Sequence, residues 1–121
     1  MLAKTNRIKK KKEFENIFKN GLSFKKNYLL LKVIKNELGK YRFGFVISQK
    51  VSKKAVVRNK IKRRLTEIIR TEFKKNNDKE TKSGLDMVFI ALPGIDKENY
   101  LELKNNLLFL FKKAVNTYFY K

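Results

Sequence analysis

Apolar positions recur along this chain with two periods, and each change of period marks a new element. Over about Lys11–Asn20, Phe14, Ile17 and Phe18 fall at i, i+3 and i+4 and share one face of a short helix. Gly21 follows, where a helix end often takes a left-handed residue. From Tyr28 to Lys35 the period becomes two. Leu29, Leu31 and Val33 make an apolar face, and Tyr28, Leu30, Lys32 and Ile34 make a mixed one. The turn-forming "NELGKY" leads to a second strand, Arg42–Ser48, with Phe43, Phe45 and Ile47 on one face and Gly44 opposite. The two strands are near enough in sequence to predict an antiparallel hairpin. A minor strand is expected near Ser23–Lys26.

The helical period returns over about Val56–Lys75, where Ile61, Leu65, Ile68, Ile69 and Phe73 fall within one arc. Lys75–Gly84 has no apolar residue and reads as a loop. "DMVFIAL", Asp86–Leu92, is apolar on both faces, as a central strand would be. Asp96 is a reasonable N-cap for a last helix running to about Tyr118, with Leu103, Leu107, Leu110 or Phe111, Ala114 and Tyr118 as its apolar stripe. The fold class is therefore α+β: a single domain in the order helix, strands, helix, strand, helix (αβββαβα), with one mainly antiparallel sheet.

Composition narrows the function. The chain has 121 residues, one domain's worth, and 42% of them are hydrophobic, enough for a core. Its 31 Lys and Arg against 11 Asp and Glu leave a formal charge of +20, which favours a polyanionic partner. No apolar run is long enough to span a bilayer. The N-terminal "MLAKTNRIKKKKEF" has charge without the apolar stretch of a signal peptide, and residues 1–12 read as a basic arm. A membrane-surface helix would need a free apolar face, whereas the apolar faces here are required for the core. Nucleic acid is the expected partner, with no membrane. The absence of Cys fits a reducing cytoplasm.

The charge is densest in "KKAVVRNKIKRRLTEIIR", Lys53–Arg70, with eight Lys and Arg in 18 residues. Opposite the apolar arc, Asn59, Arg63, Thr66 and Arg70 form a stripe flanked by Lys60, Lys62, Arg64 and Lys74. Glu67 and Glu72 are the acidic residues of this helix, too few to pair its cations. Arg offers a planar fork suited to phosphate, and Asn adds a donor and an acceptor. The inventory for self-sufficient hydrolysis is poor. There is no His, the carboxylates are scattered, and no phosphate-binding Gly-rich loop occurs. Charge and composition leave open a ribosomal protein, a nucleoid protein or a further kind of RNA-binding protein.

"AVVRNKIKRRLTE", Ala55–Glu67, resembles the signature of the protein subunit of bacterial ribonuclease P. "FGFVISQKVSKKAVVRN" resembles the strand and loop that precede that signature, and "RIKKKKEFENIFKNG" the family's opening. "DMVFIALPG" falls where the family has a later strand. The chain departs from the pattern at Thr66, where many members have a third Arg, at Gln49, where Lys is common, and at Leu92, where an Arg often precedes the Pro.

The resemblance implies an α+β domain with a left-handed βαβ crossover. It implies a catalytic RNA subunit, Mg²⁺ held mainly by RNA phosphates, and removal of the 5′ leader from precursor tRNA. It implies no catalytic residue or metal ligand in the protein, which would act as a monomer, one copy per catalytic RNA. Carried over residue by residue, Arg58, Asn59, Lys62 and Arg63 would contact the catalytic RNA, with Arg70, Lys50, Lys53 and Lys54 nearby. Phe14 and Phe18 match the aromatics of a cleft for the single-stranded leader. Tyr28 and Lys32, on the mixed strand face, could add stacking and phosphate contact there.

Overall fold

The computed structural model describes residues 6–75 and 84–119. Of the loop expected over Lys75–Gly84, Lys75 ends a helix, Gly84 opens a strand, and 76–83 lie outside the described residues, as do the first five residues of the basic arm and the side chains of Phe73 and Lys74. Helix α1 spans Lys11–Asn20, strands β1, β2 and β3 span Leu22–Lys26, Leu29–Asn36 and Arg42–Ile47, and helix α2 spans Ala55–Lys75. Strand β4 spans Gly84–Ala91; a 3-10 turn at Ile95–Lys97 then leads to α3, Tyr100–Phe119.

The strands form one sheet in the order β1-β2-β4-β3. The β1–β2 and β2–β4 ladders are antiparallel, whereas β3 and β4 run parallel. The hairpin expected between Tyr28–Lys35 and Arg42–Ser48 therefore does not form, because β4 lies between them. The reason is in β4 itself. Leu85, Met87 and Phe89 on one face and Val88 on the other are fully buried, so β4 must be covered on both sides. Parallel β3 and β4 are joined through α2, which makes the expected βαβ crossover.

One face of the sheet carries the main core. Leu29, Leu31, Val33, Phe43, Leu85, Met87 and Phe89 meet Ile61, Leu65, Ile68 and Ile69 of α2 and Leu103, Leu107, Leu110 and Ala114 of α3. The other face carries a smaller cluster, in which Ile8 and Ile17 pack with Val88, Phe14, Ile34, Val46 and Ile90. Alternation along β2 thus sends Leu29, Leu31 and Val33 one way and Ile34 the other, as the period of two predicts.

Two helix ends differ from expectation. Gly21 is extended (φ −80°, ψ 158°), not left-handed. A Cβ there would lie 2.5 Å from the Ile17 carbonyl oxygen and 2.9 Å from that of Val33, so glycine permits close approach of α1 to β2. Asp96 lies in the 3-10 turn, and the cap of α3 is Asn99. The Glu102 amide donates to Asn99 Oδ1 (2.8 Å) and the Asn99 amide to Glu102 Oε1 (3.0 Å), a reciprocal capping box.

An ion cluster fixes α1 to the sheet. Arg42 donates from Nε and Nη2 to the two oxygens of Asp86 (2.9 and 2.6 Å) and from Nη1 to Glu13 Oε2 (2.6 Å). Asn36 Nδ2 adds a bond to Asp86 Oδ1 at 2.7 Å. Burial raises the Glu13 carboxyl, but the bond from Arg42 and the Lys10 amide outweigh it and leave the group below its ordinary value. The Arg42 guanidinium is held above its ordinary range, first by its hydrogen bonds to Asp86.

Candidate nucleic-acid interface

The end of the basic arm is bound to the sheet. Arg7 bridges Phe43 in parallel, the Ile8 amide donates to the Phe43 carbonyl (2.9 Å), and Asn6 Nδ2 donates to the Tyr41 carbonyl (2.7 Å). These contacts place the arm along the outer edge of β3, beside α2. Between them runs a groove of about 830 Å³. One wall is Arg7, Ile8, Phe14, Phe43, Gly44 and Phe45; the other is Val56, Asn59, Lys62, Arg63, Thr66 and Glu67.

This geometry changes the reading of α2. Asn59, Arg63 and Thr66 do not point away from the rest of the molecule but line the groove opposite α1 and β3. The arm and α1 rise beside the flank that helical periodicity alone leaves open. Gly44 sets the depth of the floor: a Cβ there would lie 2.7 and 2.9 Å from two ring carbons of Phe14. The Phe14 ring in turn stands 6.4 Å from that of Phe18, which is exposed. Lys32, opposite Val88 in register, lies by alternation on the sheet face that carries this pair. Phe14 therefore joins the groove to the open sheet face, and two sites expected separately form one surface. Tyr28 sits at its far end, its ring against Gly94.

The cations are not equivalent. Arg58 is half-buried and donates from Nη1 to the Ser52 carbonyl at 2.8 Å, which braces the loop between β3 and α2. Lys50, Lys53 and Lys54 are exposed on that loop, which also carries bonds from the Lys50 and Lys54 amides to Ser48 and Ser52 hydroxyls (both 3.2 Å). Arg70 pairs with Glu67, and this bond holds the Glu67 carboxyl below its ordinary value. Asn59, Lys62 and Arg63 are exposed, and their side chains make no bond to the described residues. Among the described residues no three His, Cys, Asp or Glu side chains come together as a metal site, and no helix is long and apolar enough to cross a membrane.

Sequence reasoning missed Arg7 and Val56 as groove residues. Arg7 was legible only as part of a basic arm; its Nε is buried with no hydrogen-bond partner among the described residues. Val56 is 76% exposed, outside the apolar arc of its helix, and that misfit was the available signal.

The sequence profile of the family described as Ribonuclease P matches residues 2–115. This chain belongs to the ribonuclease P protein family. It is 40% identical over 111 residues to the ribonuclease P protein component of Clostridium botulinum (strain 657 / Type Ba4), covering 92% of this chain and 96% of that protein. Among solved structures, the ribonuclease P protein of Staphylococcus aureus superposes with a TM-score of 0.76 at 31% identity, covering 90% of this chain and 94% of that one. That of Thermotoga maritima also gives 0.76, at 30% identity, covering 88% and 96%. Ribonuclease P is an endoribonuclease whose catalysis is carried by RNA, so a protein component of this family needs cations and a shaped surface more than acid–base groups.

Proposed function

We propose that this chain binds the catalytic RNA of ribonuclease P along α2 and holds the unpaired 5′ leader of precursor tRNA across the α1 side of the sheet. The complex then removes the leader to give the mature tRNA 5′ end. The observation that carries this reading is the continuity of the surface. Asn59, Lys62 and Arg63 face Phe14 across one groove, and Phe14 leads through Phe18 to the face bearing Lys32. Cations suit phosphates and exposed rings suit unstacked bases, so one surface can hold a structured RNA and a single strand side by side.

Within it, Asn59, Lys62 and Arg63 are the free phosphate and base contacts, joined by Lys50, Lys53 and Lys54 from the loop. Arg58 acts chiefly by holding that loop, and Arg70 meets RNA only by exchanging Glu67 for a phosphate. Phe14, Phe18, Tyr28 and Lys32 take the leader. Mg²⁺ is bound through RNA phosphates, and the +20 charge lowers the repulsion between the two RNAs, so less Mg²⁺ is needed. The protein works as a monomer, one per catalytic RNA, in the cytoplasm.

The test is leader cleavage of a 5′-extended precursor tRNA by a bacterial ribonuclease P RNA, at Mg²⁺ too low for the RNA alone. The intact chain is expected to restore cleavage, and protein without RNA to give none. Lys62→Ala with Arg63→Ala is expected to lower the salt slope of RNA binding by about 0.9 per cation lost. Cleavage that does not respond to the intact chain would sink the proposal.

A further inference from the structure

Far from the groove, at the opposite edge of the sheet, a second basic and aromatic surface lies where β1 meets α3. Phe109 is 46% exposed midway along α3, although Leu107, Leu110 and Phe111 beside it are buried. A lone exposed Phe needs no explanation. This one is not alone. The Lys26 ammonium of β1 lies over its ring, 4.9 Å from the centroid. Lys113, one turn further along α3, lies 5.4 Å from the centroid of Phe24 and 5.8 Å from that of Phe109. Two rings and two ammonium groups thus alternate across the seam between strand and helix, with exposed Lys112 adjoining. None of these lysines is in a salt bridge among the described residues. Glu102, the acidic residue in the first turn of α3, is engaged in the cap with Asn99.

We infer that this seam is a second RNA-binding surface, a stacking platform for unpaired nucleotides, separate from the groove. Interleaved rings and cations are what a single strand requires, since every base has a face to stack and every step a phosphate to neutralise. The lysines now over the rings can swing away. An exposed cation–π contact is weaker than base stacking, and the displaced ammonium gains a phosphate. The charge selects the occupant. An acidic peptide would satisfy the lysines but leave Phe109 uncovered. A second copy would bring another +20 against a strand edge already bearing Lys25 and Lys26. In the order β1-β2-β4-β3 this edge lies three strand spacings, roughly 14 Å, from β3 and its groove. The two surfaces can therefore hold separate RNA segments.

The platform can be tested without reference to leader cleavage. The full chain carrying Phe18→Ala and Lys32→Ala besides Lys62→Ala and Arg63→Ala, which removes leader contacts as well as those to the catalytic RNA, is titrated with a fluorescein-labelled single-stranded RNA on the order of ten nucleotides and, separately, with a blunt RNA duplex. Adding Phe109→Leu keeps an apolar side chain at a half-exposed position. It is expected to weaken single-strand binding roughly 5- to 30-fold and to leave duplex binding unchanged. Lys26→Gln with Lys113→Gln is expected to weaken both and to lower the single-strand salt slope by about 0.7 per cation. An unchanged single-strand affinity with Phe109→Leu overturns the platform, as does an equal loss for strand and duplex. A Glu-rich peptide whose binding falls with Phe109→Leu while that of RNA does not also overturns it, and makes the seam a protein-docking surface. Should the groove variant not fold, ultraviolet cross-linking of the same RNA to the unmodified chain decides. Adducts on Phe24 or Phe109 support the platform, and adducts confined to Phe14 and Phe18 overturn it.

Discussion

Replacing Arg42 by Met retains most of the aliphatic stem and removes the guanidinium that joins α1 to the sheet. Side-chain exposure is 15% for Arg42, 8% for Asp86 and 26% for Glu13, so the loss falls mainly on Asp86. In the variant Asp86 keeps one donor, Asn36 Nδ2 at 2.7 Å, in place of three. Removing one partner of a buried pair costs about 3–5 kcal/mol, because a charge is left in a poor solvent. The remaining bond from Asn36 and the partial exposure of Glu13 reduce that to about 2–3 kcal/mol. For a chain of this size the melting temperature is expected to fall by roughly 6–15 °C. The assay is urea unfolding followed by far-ultraviolet circular dichroism at pH 7. The decisive comparison adds Asp86→Asn, which removes the stranded charge. If the charge causes the damage, the double variant recovers about half of the loss. A single-variant cost below about 1 kcal/mol, or losses that simply add, would refute the reasoning.

Gly44→Ala puts a methyl group 2.7 Å from the Phe14 ring. The ring must leave the groove floor, and single-stranded RNA affinity, read by fluorescence anisotropy, is expected to fall about 3- to 10-fold with a stability loss of about 1–2 kcal/mol. Asn99→Ala opens the capping box of α3 and is expected to cost about 1 kcal/mol by urea titration, whereas Asp96→Ala costs less. The acid response has two opposite parts. The Glu13 carboxyl lies below its ordinary value, so its stabilisation is present above that value and is lost as pH falls through the folded pKa; Glu13→Gln flattens the acid limb below about pH 4.5. Glu98 lies above its ordinary value because of burial, opposed by the bond from Asn106 and assisted by the charge of Glu102. Its stability contribution is present below the unfolded pKa and is lost as pH rises through the folded one. Glu98→Gln is expected to gain in melting temperature relative to the parent from pH 4 to pH 7.

What could be read from the sequence was local. The span Lys11–Asn20, the alternation in β2 and the arc of Ile61, Leu65, Ile68 and Ile69 follow from periods of 3.6 and 2, and each recurs in the structure. The signature pointed to the correct family. Pairing was not legible, because adjacency in sequence favoured a hairpin while the partner of β3 lies beyond a helix of 21 residues. The cap of α3 was misplaced for a similar reason. Asp96 and Asn99 are both good caps, and Glu102, three residues after Asn99, was the signal that separates them. Of the interface, the type of residue was legible and its direction was not. Arg58 belongs to the signature, yet its guanidinium turns to Ser52, a contact set by the loop's path. The groove wall supplied by Arg7 depends on a chain segment lying against β3, which no periodicity encodes.

The central strand is also the last one made. While the chain emerges from its N-terminus, β1 and β2 can pair, but the inner edges of β2 and β3 both wait for Gly84–Ala91. Among the described residues β3 has the single bridge from Arg7 to Phe43 and no partner strand but β4, so it has no ladder to join until then. Ladders between residues this far apart close slowly, since the loop entropy must be met before the contacts form. Folding is therefore expected to complete late in synthesis or after it. A chain stopped before residue 91 holds a hairpin and two helices with no complete sheet to cover, and one stopped before α3 still lacks the Leu103, Leu107, Leu110 and Ala114 side of the core.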